Sequence, residues 1–194
     1  MMGLLVKNNK VWITEAANKK RKLKYTLQII EENGFMVGVN THLTNKIVNH
    51  ALQKNLIKDF SKTVKIKSEQ VFGKHTRFDF FLEEKSKKIF LEVKNVTLKR
   101  KSKTAEFPDS VTSRGTKHLN ELIKATRKGF KAYMLFVIQR NDCDKFKIAK
   151  DIDPEYSKTL KKAVKNKVKI LCYDCKFSSK GITLNKKIKF QIYD

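Results

Sequence analysis

Residues Ala132–Ile138 read Ala-Tyr-Met-Leu-Phe-Val-Ile, seven consecutive positions without a charged or amide side chain. The run is too short to cross a bilayer. It has the length of a strand, and an unbroken apolar strand must be covered on both of its faces. That requires layers on either side of a sheet, so the expected class is an α/β sandwich with a mixed central sheet flanked by helices. The flanking sequence supplies such layers. Thr116–Lys128 puts Leu119, Leu122 and Ile123 on one helical face, and Gly129 closes that helix. Pro154 opens another helix through Lys165, since proline suits a first helical position. Val168–Tyr173 predicts a further strand.

Upstream, residues 42–55 predict a helix with Leu43, Ile47, Ala51 and Leu52 at helical spacing, capped by Thr41 or Asn40. Three strands follow, Val64–Phe72, Arg77–Leu82 and Lys88–Val93, with turns at Gly73 and 85–88. A loop containing Pro108 leads to the Thr116 helix. From residue 41 the order is α-β-β-β-α-β-α-β. Residues 10–40 read as β instead: Val11–Ile13, then Tyr25–Ile30 and Phe35–Val39 around Glu32-Asn33-Gly34. Asn-Gly between two apolar runs is a strong hairpin signal. The tail from Ile182 to Tyr193 alternates polar and apolar residues.

The chain carries 44 Lys and Arg against 19 Asp and Glu, a formal net charge of +25. An AT-rich genome explains lysine over arginine but not the shortage of acids. An excess this large attracts polyanions through counterion release, and nucleic acid is the natural partner. DNA is the first expectation, and only competition would separate it from RNA. A membrane surface fits less well, because no basic amphipathic helix with a bulky apolar face appears. The opening MMGLLVKNNK is no secretory signal, so a cytoplasmic protein with reduced thiols is expected. Cys172 and Cys175 form a C-x-x-C, but Cys143 stands alone and no second ligand pair completes a zinc site. Oligomeric state has no signature.

Seven of the 19 acids fall between Glu69 and Asp109. On a strand, residues two apart share a face, so Glu92 and Lys94 project together while Val93 turns away. Asp79 sits on the preceding strand, which would pair with the Glu92 strand and bring the carboxylates side by side. Clustered carboxylates repel and raise each other's pKa unless a cation joins them. Mg²⁺ or Mn²⁺ suits oxygen ligands, and the adjacent lysine can orient water or neutralise a phosphate in transit. The bland reading is a charged strand face with an incidental ion pair. Glu69 could equally be a solvated acid at a strand end. Arg114 and His118 share a face if their helix starts early, with Gly115 in its first turn; helix amides, Arg114 and Lys117 then form a phosphate site. The alternative is a helix capped at Thr116. The Lys19-Lys20-Arg21-Lys22 cluster reads either as a solvated loop or as a phosphate contact.

A helix, a hairpin with Asp79 and Glu92-Val93-Lys94 on the third strand follow the pattern of the PD-(D/E)xK restriction-endonuclease-like fold. The surrounding text is more specific: Val39-Asn40-Thr41 with Asn45, Ser68-Glu69, Thr76-Arg77-Phe78-Asp79-Phe80, and Glu92-Val93-Lys94-Asn95-Val96-Thr97-Leu98. It continues in Phe107-Pro108-Asp109-Ser110-Val111-Thr112-Ser113-Arg114-Gly115-Thr116-Lys117-His118-Leu119, then Gln139-Arg140 and Asp153-Pro154. Over essentially its whole length the chain resembles the sugar fermentation stimulation protein A family. The resemblance implies an OB-like segment at 1–40 and a PD-(D/E)xK nuclease-like domain at 41–194. Relatives carry several strands before the stretch matched here by Met1-Met2-Gly3-Leu4-Leu5, so the barrel is expected to be incomplete. It further implies DNA binding, mostly to phosphates, and regulation of sugar-metabolism genes; the alternative is a Mg²⁺- or Mn²⁺-dependent nuclease or phosphodiesterase. The expected site is Asp79, Glu92, Lys94 and Glu69, with Asp79, Glu92 and Glu69 as metal ligands. Expected nucleic-acid contacts are Arg77, Arg114, Lys117, His118 and the cluster Lys19, Lys20, Arg21 and Lys22. Asp109 becomes a ligand or a substrate contact.

Overall fold

The computed structural model describes residues 3–62, 64–73 and 76–191. Met1, Met2 and Tyr193, which enter the expectations above, lie outside them. The chain opens with β1 (Val11–Glu15), β2 (Tyr25–Glu32) and β3 (Phe35–Gly38), an antiparallel sheet of three strands. Asn33 and Gly34 both take positive φ, +51° and +80°, as a two-residue hairpin turn demands. Leu4, Ile30 and Val37 form the small core of this sheet.

A 3₁₀ turn, Thr41–Leu43, then leads into α1 (Thr44–Gln53), and the Asn40 side chain accepts the His42 N–H at 3.1 Å. β4 (Lys65–Phe72), β5 (Thr76–Glu84) and β6 (Lys87–Val96) form the expected meander. The expected Pro108 loop is more structured than its sequence predicts. It contains a hairpin, β7 (Leu98–Lys101) and β8 (Thr104–Phe107). These strands are four residues each, too short for an alternation to be read locally.

α2 spans Ser113–Arg127 and so begins three residues early, because Thr112 is its cap and accepts the Gly115 N–H at 3.1 Å. Then come β9 (Lys131–Ile138), β10 (Lys145–Ile148), α3 (Pro154–Lys165), β11 (Lys169–Ser178), β12 (Gly181–Lys187) and β13 (Lys189–Gln191). Six strands form the central sheet in the order β12-β11-β9-β6-β5-β4, with β6, β9 and β11 parallel. β13-β10-β8-β7 form a second sheet.

β9 sits inside the central sheet, and Met134, Leu135, Phe136, Val137 and Ile138 are fully buried. Met134, Phe136 and Ile138 face a core shared with α2, α3 and the second sheet. Leu135 and Val137 face the other core, built with α1. The helices thus cover opposite faces, as the unbroken apolar run required. β11 carries both residues of the C-x-x-C, and Cys172 and Cys175 pack into the cores on opposite faces of the sheet. No helix among the described residues is long and apolar enough to cross a membrane.

The N-terminal sheet is fastened to the C-terminal end of β9. Gly38 N–H donates to the Gln139 carbonyl at 2.8 Å. A Cβ on Gly38 would sit 2.5 Å from Gln139 Oε1 and 3.0 Å from Ile182 Cδ1, so any larger residue would have to displace the Gln139 side chain. Beside it Arg140, 1% exposed, binds Glu32, Asp142 and the Thr97 carbonyl.

Candidate functional site

Asp79 and Glu92 lie on neighbouring antiparallel strands, β5 and β6, and Glu92 is only 2% exposed. Both line a cleft of 310 Å³ with Lys94, Asn45, Arg114 and His118. These six side chains arrive from four elements, α1, β5, β6 and α2. Asn45, in the first turn of α1, donates to Asp79 Oδ1 at 2.7 Å. The Val93 N–H donates to Asp79 Oδ2 at 2.8 Å. Lys94 Nζ donates to Glu92 Oε1 at 2.7 Å, and the His118 Nδ1–H from α2 meets the same oxygen. Lys94 Nζ lies 3.3 Å from His118 Nδ1. Glu92 Oε2, also buried, has no hydrogen-bond partner.

The two carboxyls are pushed in opposite directions. Burial, and then the negative charge of Glu92, push Asp79 up to about 6 against its hydrogen bonds from Val93 and Asn45. Burial also raises Glu92, but His118 and Lys94 outweigh it and hold that carboxyl below its ordinary value. Glu92 is therefore the standing anion and Asp79 the group that resists a second charge. A cation between them would relieve both the repulsion and the orphaned Oε2. The donors are carboxylate oxygens, the set that hard divalent ions prefer, so a hard divalent cation would fit. Among the described residues, no three His, Cys, Asp or Glu side chains converge on one metal position. Two carboxylates completed by water and substrate phosphate are a normal Mg²⁺ environment.

The other expected residues divide. Arg114 and His118 reach the cleft because α2 begins early. A Cβ on Gly115 would stand 2.8 Å from Thr112 Oγ1 and 3.0 Å from Tyr156, so glycine lets the helix start press against α3. Lys117 is exposed on the first turns of α2 and is outside the cleft lining. Glu69 does not join the cleft. Strand register sets it across from Asp79, but its backbone takes φ +56° and its side chain is 60% exposed, 3.7 Å from Arg77. The left-handed backbone turns the acid outward, and Arg77 goes with it to the surface. Lys19, Lys20, Arg21 and Lys22 occupy the exposed loop between β1 and β2, where Arg21 donates to Thr26 Oγ1 at 2.9 Å. None of them lines the cleft. Asp109 is half-buried in an adjoining cleft.

Nothing local in the sequence marks Asn45 as the partner of Asp79, or Asn95 as the outer member of a network. There Gln139 Nε2 donates to Asn95 Oδ1 at 2.6 Å and to Thr44 Oγ1 at 3.0 Å. The available signal was a glutamine directly after seven apolar residues, since a polar group buried at a strand end needs partners.

Family models agree with this architecture. Residues 42–181 match the model described as the sugar fermentation stimulation protein RE domain, and residues 1–39 match the SfsA N-terminal OB domain. The sugar fermentation stimulation protein homolog of Pelagibacter ubique is 53% identical over 97% of this chain and 82% of its own length. That of Bartonella quintana is 40% identical over 98% of this chain and 82% of its own. The solved Pyrococcus furiosus SfsA in complex with Ca²⁺ superposes with a TM-score of 0.87 at 27% identity, over 97% of this chain and 80% of that one. The mixed α/β layers, the RE-domain model over residues 42–181, the OB-domain model over residues 1–39 and relatives 40–53% identical over nearly the whole chain make it a member of the sugar fermentation stimulation protein family.

Proposed function

We propose that this protein binds DNA through the phosphate backbone, largely without sequence preference, and that its cleft holds Mg²⁺ or Mn²⁺ to hydrolyse phosphodiester bonds. The observation that carries the hydrolytic half is Glu92: buried, held as an anion by His118 and Lys94, with one oxygen unpartnered beside Asp79. A relative solved in complex with Ca²⁺ supports divalent-cation binding in the family.

Asp79 and Glu92 would hold the ion, which supplies Lewis-acid activation of the phosphate and of an attacking water. Asn45 and the Val93 N–H fix the Asp79 carboxylate. His118 fixes Glu92 so that Oε2 is the free oxygen. Lys94 stands where it can orient the water or offset charge building on the phosphate. Arg114, exposed at the start of α2, anchors a neighbouring phosphate together with the helix amides. The net charge of +25 supplies the rest of the affinity without reading bases.

A second reading is DNA binding without hydrolysis, with a regulatory role in sugar metabolism. It is favoured by one observation, that two carboxylates rather than three acids line the cleft. Cleavage of single- and double-stranded DNA across a Mn²⁺ titration separates the two. Metal-dependent scission by wild type should fall about 10²–10³-fold in Lys94→Ala. Affinity should barely change, because one lysine among many contributes little to the ground state. No scission at high protein concentration leaves the binding reading alone. Scission undiminished in Lys94→Ala contradicts the assigned centre. For the binding half, log K against log salt should fall steeply, and a flat plot overturns it.

A further inference from the structure

Strands β6, β9 and β11 run parallel, so their starts lie side by side at one end of the central sheet. The β5–β6 turn and the ends of α2 and α3, which lead into β9 and β11, gather at the same end. The segments concerned, 85–88, 127–131 and 165–169, carry nine Lys or Arg and no Asp or Glu. At the other end of the strands the loops are mixed: 139–144 and 149–153 hold Asp142, Asp144, Asp151 and Asp153. We infer that the basic end is a second phosphate-binding face, separate from the cleft, so that one protein molecule holds two DNA segments at once. The inference rests on the DNA-binding reading above and extends it to a second duplex.

Helix ends alone do not produce this face. Lysines at helix C-termini complement the helix dipole, which accounts for Arg127, Lys128 and Lys165. It does not account for Lys85, Lys87, Lys88, Lys131, Lys167 and Lys169, which lie in turns and strand starts. Among the described residues none of the nine pairs with an acid. Glu84 and Glu83 stand across the hairpin from Lys87 and Lys88, but Glu83 pairs with Lys67 instead. Lys128 and Lys169 lie over the rings of Phe72 and Tyr133, at 5.3 and 5.7 Å, which positions each ammonium without neutralising it. Lys87, Lys88, Lys128 and Lys131 also line a pocket of 350 Å³ with Ser86. Uncompensated ammonium groups around one concavity repel each other, and a phosphate relieves that repulsion while its own counterions are released.

One duplex does not serve both faces. Lys88, at the pocket, and Asn95, at the cleft, stand at opposite ends of β6. At about 3.3 Å per residue they are roughly 23 Å apart. The helix that joins the two ends is α2, with Arg114 at the cleft and Lys128 at the pocket. In its middle Lys124 is bound to Glu121 at 2.7 Å, which cancels the charge and breaks the basic track. A backbone held at one end therefore leaves the other end free for a second.

The test immobilises one duplex on a surface and measures capture of a second, labelled duplex by added protein, in EDTA at fixed salt. Wild type should retain the second duplex. Lys87→Gln, Lys88→Gln and Lys131→Gln together should lower that capture about tenfold or more. All three side chains are exposed, so the fold does not depend on them. The matched control is Lys176→Gln, Lys180→Gln and Lys186→Gln, three exposed lysines of the β11–β12 hairpin with the same loss of charge, and it should capture like wild type. Affinity for a single duplex should fall slightly and equally in both. Binding of one duplex without capture of a second overturns the inference and spares the DNA-binding reading. Failure to bind even one overturns both. Equal losses of capture in the two variants overturn the inference, as does capture that survives in the first, which a dimer joined elsewhere would give. Capture of phosphatidylserine vesicles in place of the second duplex assigns the face to a lipid surface and overturns it too.

Discussion

Two buried charge clusters sit less than fifty residues apart in the chain, at Glu92 and at Arg140, and they are built to opposite standards. At Arg140 the guanidinium donates to Asp142 at 2.8 and 2.9 Å and to the Thr97 carbonyl at 2.7 Å, and also binds Glu32. Lys99 joins Asp142 from β7. Asp142 is held far below the ordinary carboxylate range despite its burial, because Arg140 and Lys99 bind it. Every charge there has a partner, and the cluster fastens the N-terminal sheet to the α/β layers. At Glu92 one oxygen is left over, and Asp79 is pushed up to about 6. A closed cluster holds the fold. An open one, at the wall of a cleft, is unfavourable by itself and would be relieved by the proposed cation.

The largest effect should come from breaking the closed cluster. Arg140→Met leaves the Asp142 carboxylate and the half-buried Glu32 without their guanidinium and should cost about 3–5 kcal/mol in urea denaturation. A loss below about 1 kcal/mol would mean that Arg140 does not staple the two sheets.

Asp79→Asn should do the reverse. A carboxyl whose folded pKa lies above its unfolded value binds protons more tightly when folded, so it loses stability as pH rises. For Asp79 the window runs from its unfolded value of 3.8 up to about 6. Above that window Asp79→Asn should be roughly 2 kcal/mol more stable than wild type, and near pH 4 the two should converge. Asp142→Asn should move oppositely, destabilised at neutral pH, with its deficit shrinking only as acid protonates the wild-type carboxylate. Adding Mn²⁺ should stabilise wild type and leave Asp79→Asn unmoved. Parallel pH curves for the two variants would erase the contrast between the clusters.

Gly115→Ala should have a smaller effect, about 1–3 kcal/mol, from pressing a methyl group against Thr112 and Tyr156. Because Arg114 and His118 ride on that helix start, Mn²⁺ affinity should fall as well. A destabilised variant with unchanged Mn²⁺ affinity would detach the helix start from the cleft.

The N-terminal hairpin, α1, the β4–β6 meander, α3 and the common face of Glu92 and Lys94 were all legible in the sequence. Each has a local cause: a period, a cap, an Asn-Gly turn, or an alternation that puts residues two apart together. Tertiary structure decided the rest. Whether α2 began at Ser113 or Thr116 depended on Gly115 fitting against Tyr156 of another helix. The outward turn of Glu69 depended on one left-handed residue in an edge strand. The β7-β8-β10-β13 sheet is made of strands of three or four residues, stabilised by neighbours far away in sequence rather than by a pattern of their own. Arg140 meets Glu32 across 108 residues, and His118 meets Glu92 across 26. A run of residues reports its own period and its own turns. It carries no trace of which distant charge will share its burial, because that choice is made only when the layers close and water is expelled from between them.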